Sequence, residues 1–169
     1  MSYIDEKAHV TKKQLNKKTI ILTCMDGRLI KLLPSALNLK EEDVEIVTSA
    51  GAICSDPFGS VMRSILIAVY LSEAEDIVVV GHHDCEMQGM DSSAFIDKMK
   101  RRGLKSEVIP TFCCCGIDID EVFKGFNNTQ SSIINTVELI KNHPFIPKDV
   151  SVSGFIIELK TGELEKITD

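Results

Sequence analysis

Apolar positions along this chain fall into two kinds, short unbroken runs and longer periodic stretches, and the two kinds alternate. Thr19-Ile-Ile-Leu-Thr23 and Ile77-Val-Val-Val80 are aliphatic and β-branched with no polar alternation, the pattern of strands buried on both faces. A further strand is expected at Val44–Thr48, followed by a loop of small residues, Ser49-Ala-Gly-Ala52. Asp56-Pro57 reads as a helix start, with Asp as N-cap and Pro at the first helical position. Behind it Phe58, Val61, Met62, Ile65, Leu66 and Val69 recur at the spacing of one helix face. A helical pattern runs from beyond residue 90 to Met99 and ends at Arg101-Arg-Gly103, and Val108–Thr111 reads as a fourth strand. From Gln130 to Asn142 a helix carries Ile133, Ile134, Val137 and Ile140 inward, and Pro144 closes it. Ser151–Leu159, Thr161-Gly162 and Glu163–Ile167 form a hairpin pattern. Strands and helices in alternation predict an α/β fold, a mainly parallel sheet flanked by helices on both faces.

At 169 residues the chain has the length of one domain. The expected division is a polar N-terminal arm or short helix over residues 1–17 and a single domain over 18–169. With 25 acidic and 19 basic residues the net charge is -6, which argues against a nucleic-acid partner. No apolar run approaches the ~20 residues of a membrane helix, so no membrane partner is expected. The opening MSYIDEKAHVTKKQLNKK has no apolar core of a secretory signal, which predicts a cytoplasmic location. In a reducing compartment the six cysteines suit thiolate or metal chemistry for some and burial as small hydrophobes for the rest.

The chemistry gathers behind two strands. Cys24-Met-Asp26-Gly-Arg28 follows the first, and Gly81-His82-His-Asp-Cys85 follows the third. Both therefore stand at carboxyl ends of strands, where open α/β sheets form their binding crevice. Two sulfurs and an imidazole delivered there suit Zn²⁺, which takes Cys at about 2.3 Å and His at about 2.0–2.1 Å. Residues 24, 26 and 28 alternate along an extended segment, so all three can face the crevice. Asp26 is then placed to ligate the metal or to accept a hydrogen bond beside it, and Arg28 to clamp Asp26 through a bidentate pair. His83 points away from His82, and Asp84 reads as a turn residue or an outer hydrogen-bond acceptor. Cys113-Cys-Cys115 reads as loop or strand with buried thiols, because adjacent cysteines cannot all reach one ion. His9 and His143 read as surface residues.

This arrangement resembles the β-class carbonic anhydrases, whose signature is Cys-x-Asp-x-Arg and, farther along, His-x-x-Cys. The matching residues are Cys24, Asp26 and Arg28, then His82 and Cys85. The resemblance extends over roughly residues 18–168 and is to the short bacterial and archaeal members. It implies one Zn²⁺ held by Cys24, His82 and Cys85. It also implies hydration of CO2 to bicarbonate by a zinc-bound hydroxide oriented by Asp26 and Arg28, with Asp26 a possible fourth ligand at rest. It further implies a homodimer or higher homo-oligomer. Two alternatives accompany it: hydrolysis of CS2 or COS at the same site, and a catalytically weak zinc-binding homologue with a structural or regulatory role. The chain departs from the family at Thr48-Ser49-Ala50-Gly51-Ala52, where Arg-Asn before Ala-Gly-Gly is common, and at Glu86, where a glycine often follows the second cysteine.

Overall fold

The first strand, β1 (Thr19–Cys24), is buried at every residue, as its unbroken apolar run demands. The structure is a computed structural model that describes residues 18–169, so the expected arm over 1–17, with His9, lies outside the described residues. After β1 come α1 (Gly27–Ala36), β2 (Val44–Ser49), α2 (Ser60–Leu71) and β3 (Asp76–His82). They are followed by α3 (Ser92–Arg101), α4 (Val108–Cys114), α5 (Ile119–Val122), α6 (Thr129–Lys141), β4 (Ser151–Ile157) and β5 (Leu164–Thr168). These form two compact units, one running through His83 and resuming at Thr129, the other spanning Asp84–Asn128.

The first unit holds the five-stranded sheet, in the order β2-β1-β3-β4-β5. The first four strands are parallel and β5 returns antiparallel beside β4, completing the expected hairpin. Like β1, β3 is buried throughout, so both faces of the central strands are covered. On one face Ile20, Leu22, Ile77 and Val79 pack in a single cluster with Met62, Ile65 and Val69 of α2 and Ile133, Val137 and Ile140 of α6. The alternate residues Ile21 and Val78 are equally buried, and α1 contributes Leu29 and Leu33 to the interior. Gly154 is required by this packing, since a Cβ there would lie 2.6 Å from the Ile133 side chain.

Two local expectations change in this unit. Asp56 does not cap α2: its carboxylate accepts the Phe58 N–H at 2.8 Å, and its carbonyl accepts the Gly59 N–H. The Asp-Pro pair thus closes a turn, the other structure its chemistry favours, and the helix begins at Ser60 with Phe58 left exposed. His143 is buried rather than on the surface. Its Nδ1 accepts the Phe145 N–H at 3.2 Å, and its ring lies edge-on to Phe58 and Phe145. A polar residue next to a helix-ending proline gave no warning that two aromatic rings would enclose it.

In the second unit α3, α4 and α5 bury no residue at all. Val108–Thr111, expected as a strand, is the first turn of α4. The segment is not among the strands of the sheet, and Pro110 is tolerated because first-turn N–H groups need no acceptor within the helix. The thiols of Cys113, Cys114 and Cys115, expected buried, are exposed. No helix among the described residues is long and apolar enough to cross a membrane.

Candidate metal centre

β1 and β3 are neighbours, and the strand order reverses between them, since β1 is followed by β2 on one side and β3 on the other. The crevice of an open α/β sheet opens at the carboxyl ends beside such a reversal. Cys24 is the last residue of β1 and His82 the last of β3. The Thr23 hydroxyl donates to the Val80 carbonyl at 3.0 Å, and the Met25 N–H donates to the Ser49 carbonyl at 2.9 Å. The three strand ends are thereby tied together just where chemistry is expected.

Beyond β1 the chain turns directly into α1, and Asp26 is its N-cap. Residues 24, 26 and 28 therefore do not alternate along an extended segment. Arg28 sits in the first turn of a helix, which curls it back over Asp26. The Asp26 carboxylate accepts the Arg28 backbone N–H at 3.0 Å. It also takes the Arg28 Nε at 3.0 and 3.1 Å and the Nη2 at 2.5 Å. These bonds hold its pKa down to about 2, with the Arg28 side chain as the largest cause and the charge of His82 adding to it.

His82 is buried, and its Nδ1 lies 2.8 Å from the His83 carbonyl, which fixes the ring and leaves Nε2 to face inward. Buried Nε2 has no hydrogen-bond partner among the described residues. The chain then turns, with His83 and Asp84 exposed, and Cys85 is buried again. One ligand atom each from Cys24, His82 and Cys85 all lie within 4.8 Å of one another, a buried group that could hold a metal ion. An orphaned imidazole nitrogen beside two sulfurs fits a thiophilic, nitrogen-accepting ion of the Zn²⁺ kind. That group does not include Asp26, whose carboxylate is occupied by Arg28.

The remaining cysteines differ in kind. Burial, reinforced by Asp56, pushes the Cys54 thiol up to about 11, which keeps it an inert packing group. Cys113, Cys114 and Cys115 belong to no cluster of possible ligands among the described residues. Of the two departures noted in the sequence, Glu86 is exposed, while the small-residue loop is a tight turn at Ala50–Ala52. The Ser49 hydroxyl holds that turn by donating to the Ile53 carbonyl at 2.9 Å, a role sequence reasoning missed. Its only advance signal was a serine opening a run of small residues.

A family model described as carbonic anhydrase matches residues 19–164. A Bacillus subtilis (strain 168) protein provisionally named a carbonic anhydrase, YtiB, is 46% identical over 159 residues, covering 94% of this chain and 85% of that protein. A carbon disulfide hydrolase from Acidianus sp. (strain A1-3) is 28% identical over 163 residues, with 89% and 78% covered. Among solved structures, β-carbonic anhydrase isoform I of Trichomonas vaginalis superposes with a TM-score of 0.79 at 25% identity, covering 90% of this chain and 83% of that one.

Proposed function

The chain belongs to the β-carbonic anhydrase family, and from that premise we propose that it catalyses the reversible hydration of CO2 to bicarbonate, with zinc held by Cys24, His82 and Cys85. The observation that carries this reading is the convergence of three buried ligand atoms, one of them an unpartnered imidazole nitrogen, next to a carboxylate already claimed by an arginine. Zinc, when bound, supplies the Lewis acidity that makes a water nucleophilic near neutral pH. The rest of the work falls to the protein's own residues. Asp26 is ionised and can only accept hydrogen bonds, so it takes one from the attacking water and turns a lone pair toward the carbon. Arg28 fixes the carboxylate with a side-chain fork and a backbone N–H, leaving it one orientation. Hydration releases a proton, and a carboxyl with a pKa of about 2 is too weak a base to keep it. Asp26 therefore orients, and the proton leaves to solvent.

The decisive experiment is stopped-flow CO2 hydration by the zinc-loaded protein and its Asp26→Asn variant. The amide offers N–H groups where an acceptor is needed, so Asp26→Asn keeps its zinc and loses activity by about 10²-fold or more, the scale of one mispositioned proton contact. Because the Asp26 pKa lies at about 2, any inflection in the wild-type rate between pH 5 and 9 belongs to another group. An Asp26→Asn variant as active as wild type removes the orienting role. The similarity to a carbon disulfide hydrolase gives a second reading at the same residues. Zinc-loaded protein that turns over CS2 or COS but not CO2 selects it, and turnover of none of the three leaves a structural zinc protein.

We propose three further features. The family match runs through both compact units, which supports one functional domain over 18–169. None of the six cysteines is in a disulfide, which suits a reducing cytoplasm. Phe58, Tyr70, Leu71 and Phe145 form an exposed apolar surface on the first unit, which supports a homodimer or higher homo-oligomer. Sedimentation equilibrium at micromolar concentration should then give at least twice the 18.7 kDa chain mass, and a monomer would remove that proposal.

A further inference from the structure

The turn that joins the two candidate ligands His82 and Cys85 contains a residue in an unusual backbone state. Asp84 has φ of +57°, in the left-handed region, which excludes most side chains and admits Gly, Asn and Asp at low cost. Its side chain gives no competing explanation. Asp84 is exposed, and its carboxylate makes no hydrogen bond or ion pair among the described residues. It is a negatively charged group within three residues of two candidate ligands, yet it engages neither an arginine nor an imidazole.

What the backbone of Asp84 does is visible on both sides of it. The carbonyl that holds His82 Nδ1 at 2.8 Å is that of His83, in the peptide that joins residues 83 and 84. The direction of that carbonyl turns with the torsions flanking the peptide, φ of residue 84 among them. On the other side, β3 ends extended at His82, and three residues later Cys85 must be buried again with its sulfur within 4.8 Å of the other ligand atoms. A chain that stays at negative φ continues outward or coils, whereas one left-handed residue reverses it. The Cys85 carbonyl then accepts the Gln88 N–H at 2.9 Å, which sets the outgoing chain.

We infer that Asp84 is a positioning residue: its left-handed backbone, and not its carboxylate, aims the His82 imidazole and returns Cys85 to the metal group. The inference rests on the reading that Cys24, His82 and Cys85 hold a metal. It predicts an order of substitutions that follows backbone tolerance rather than charge.

The test is Zn²⁺ affinity of the full chain, measured by chelator competition, with Asp84→Gly, Asp84→Asn, Asp84→Ala and Asp84→Val, and with the Co²⁺ spectrum as a second readout. Asp84→Gly and Asp84→Asn should bind like wild type, with an unchanged thiolate-to-Co²⁺ band. Asp84→Val should bind about 10–100-fold more weakly, the loss typical of disturbed groups that orient metal ligands, with Asp84→Ala between. Thermal unfolding of each metal-free variant reports whether it is folded, and if Asp84→Val is not, Ala against Gly decides. Equal affinity across the series overturns the inference. So does a loss in Gly and Asn as large as in Val, which would make the carboxylate the active part. A wild-type chain that takes up no Zn²⁺, or a Cys24→Ser variant that keeps a full equivalent, overturns the metal reading itself and this inference with it.

Discussion

Three cysteines of this chain are buried and three are exposed, and the contrast separates two ways in which a sequence can gather thiols. Cys24 and Cys85 lie 61 positions apart and meet within a single group of ligand atoms because strand ends bring them together. Cys113, Cys114 and Cys115 are adjacent, yet they project from the end of a helix that has no fully buried residue. Successive residues on a helix point about 100° apart, so adjacency there disperses side chains. Cys54 marks the intermediate case, buried but alone, with burial raising its thiol pKa to about 11. Density of cysteine in sequence is therefore a poor guide to where possible ligand atoms gather. Delivery by separate elements to one enclosed point is the better one.

The largest effect that tests this contrast is loss of the metal. Purified protein should carry about one zinc per chain, since three protein ligands make a site of the open kind. Cys24→Ser, His82→Ala and Cys85→Ser should each lose it. Replacing Cys113, Cys114 and Cys115 together with Ser should leave zinc content unchanged, because none belongs to the group of possible ligands. Elemental analysis reads both arms. A metal equivalent lost from the triple variant, or kept in all three single variants, would invert the comparison. The ligands must be deprotonated to bind, so retention should fall as pH is lowered, in wild type and the triple variant alike.

The same contrast shows where sequence was a sufficient guide. β1 and β3 were legible because burial on both faces leaves an unbroken aliphatic run, and few other structures accommodate one. The side chains at their ends could be named because the crevice of a parallel sheet has a fixed address. The clamp of the Asp26 carboxylate by the Arg28 guanidinium is present as expected, but on a different backbone. A two-residue spacing fits an extended segment as well as an N-cap and first turn, and only the start of α1 decides between them. Val108–Thr111 misled because β-branched residues signal a strand only where a neighbouring strand exists to pair with it. In the Asp84–Asn128 unit α3 was legible from its helical pattern, whereas the four-residue α5, capped by Asp118, is too short to leave a period in the sequence. Asp84 was legible as a turn residue, but its left-handed φ follows from the demand to bring Cys85 back, a tertiary fact.

A smaller effect sharpens the comparison on stability. Leu22 sits in the middle of β1, fully buried in the cluster shared by the sheet, α2 and α6. Leu22→Ala removes its packed atoms and leaves a cavity that neighbours on both adjacent strands cannot fill, so it should cost about 2–5 kcal/mol. Phe112 is a larger side chain in α4, but it is 43% exposed and no residue of that helix is buried. Phe112→Ala should therefore stay within about 0.5 kcal/mol of wild type, as for ordinary surface substitutions. Urea unfolding of the metal-free protein measures both, and keeping the metal out prevents ligand binding from adding its own stabilisation. If Phe112→Ala costs as much as Leu22→Ala, then α4 has a packing partner in solution and its apolar residues are covered after all. The exposure of Cys113, Cys114 and Cys115 would then have to be reconsidered with it, because all three share the helix end that Phe112 begins.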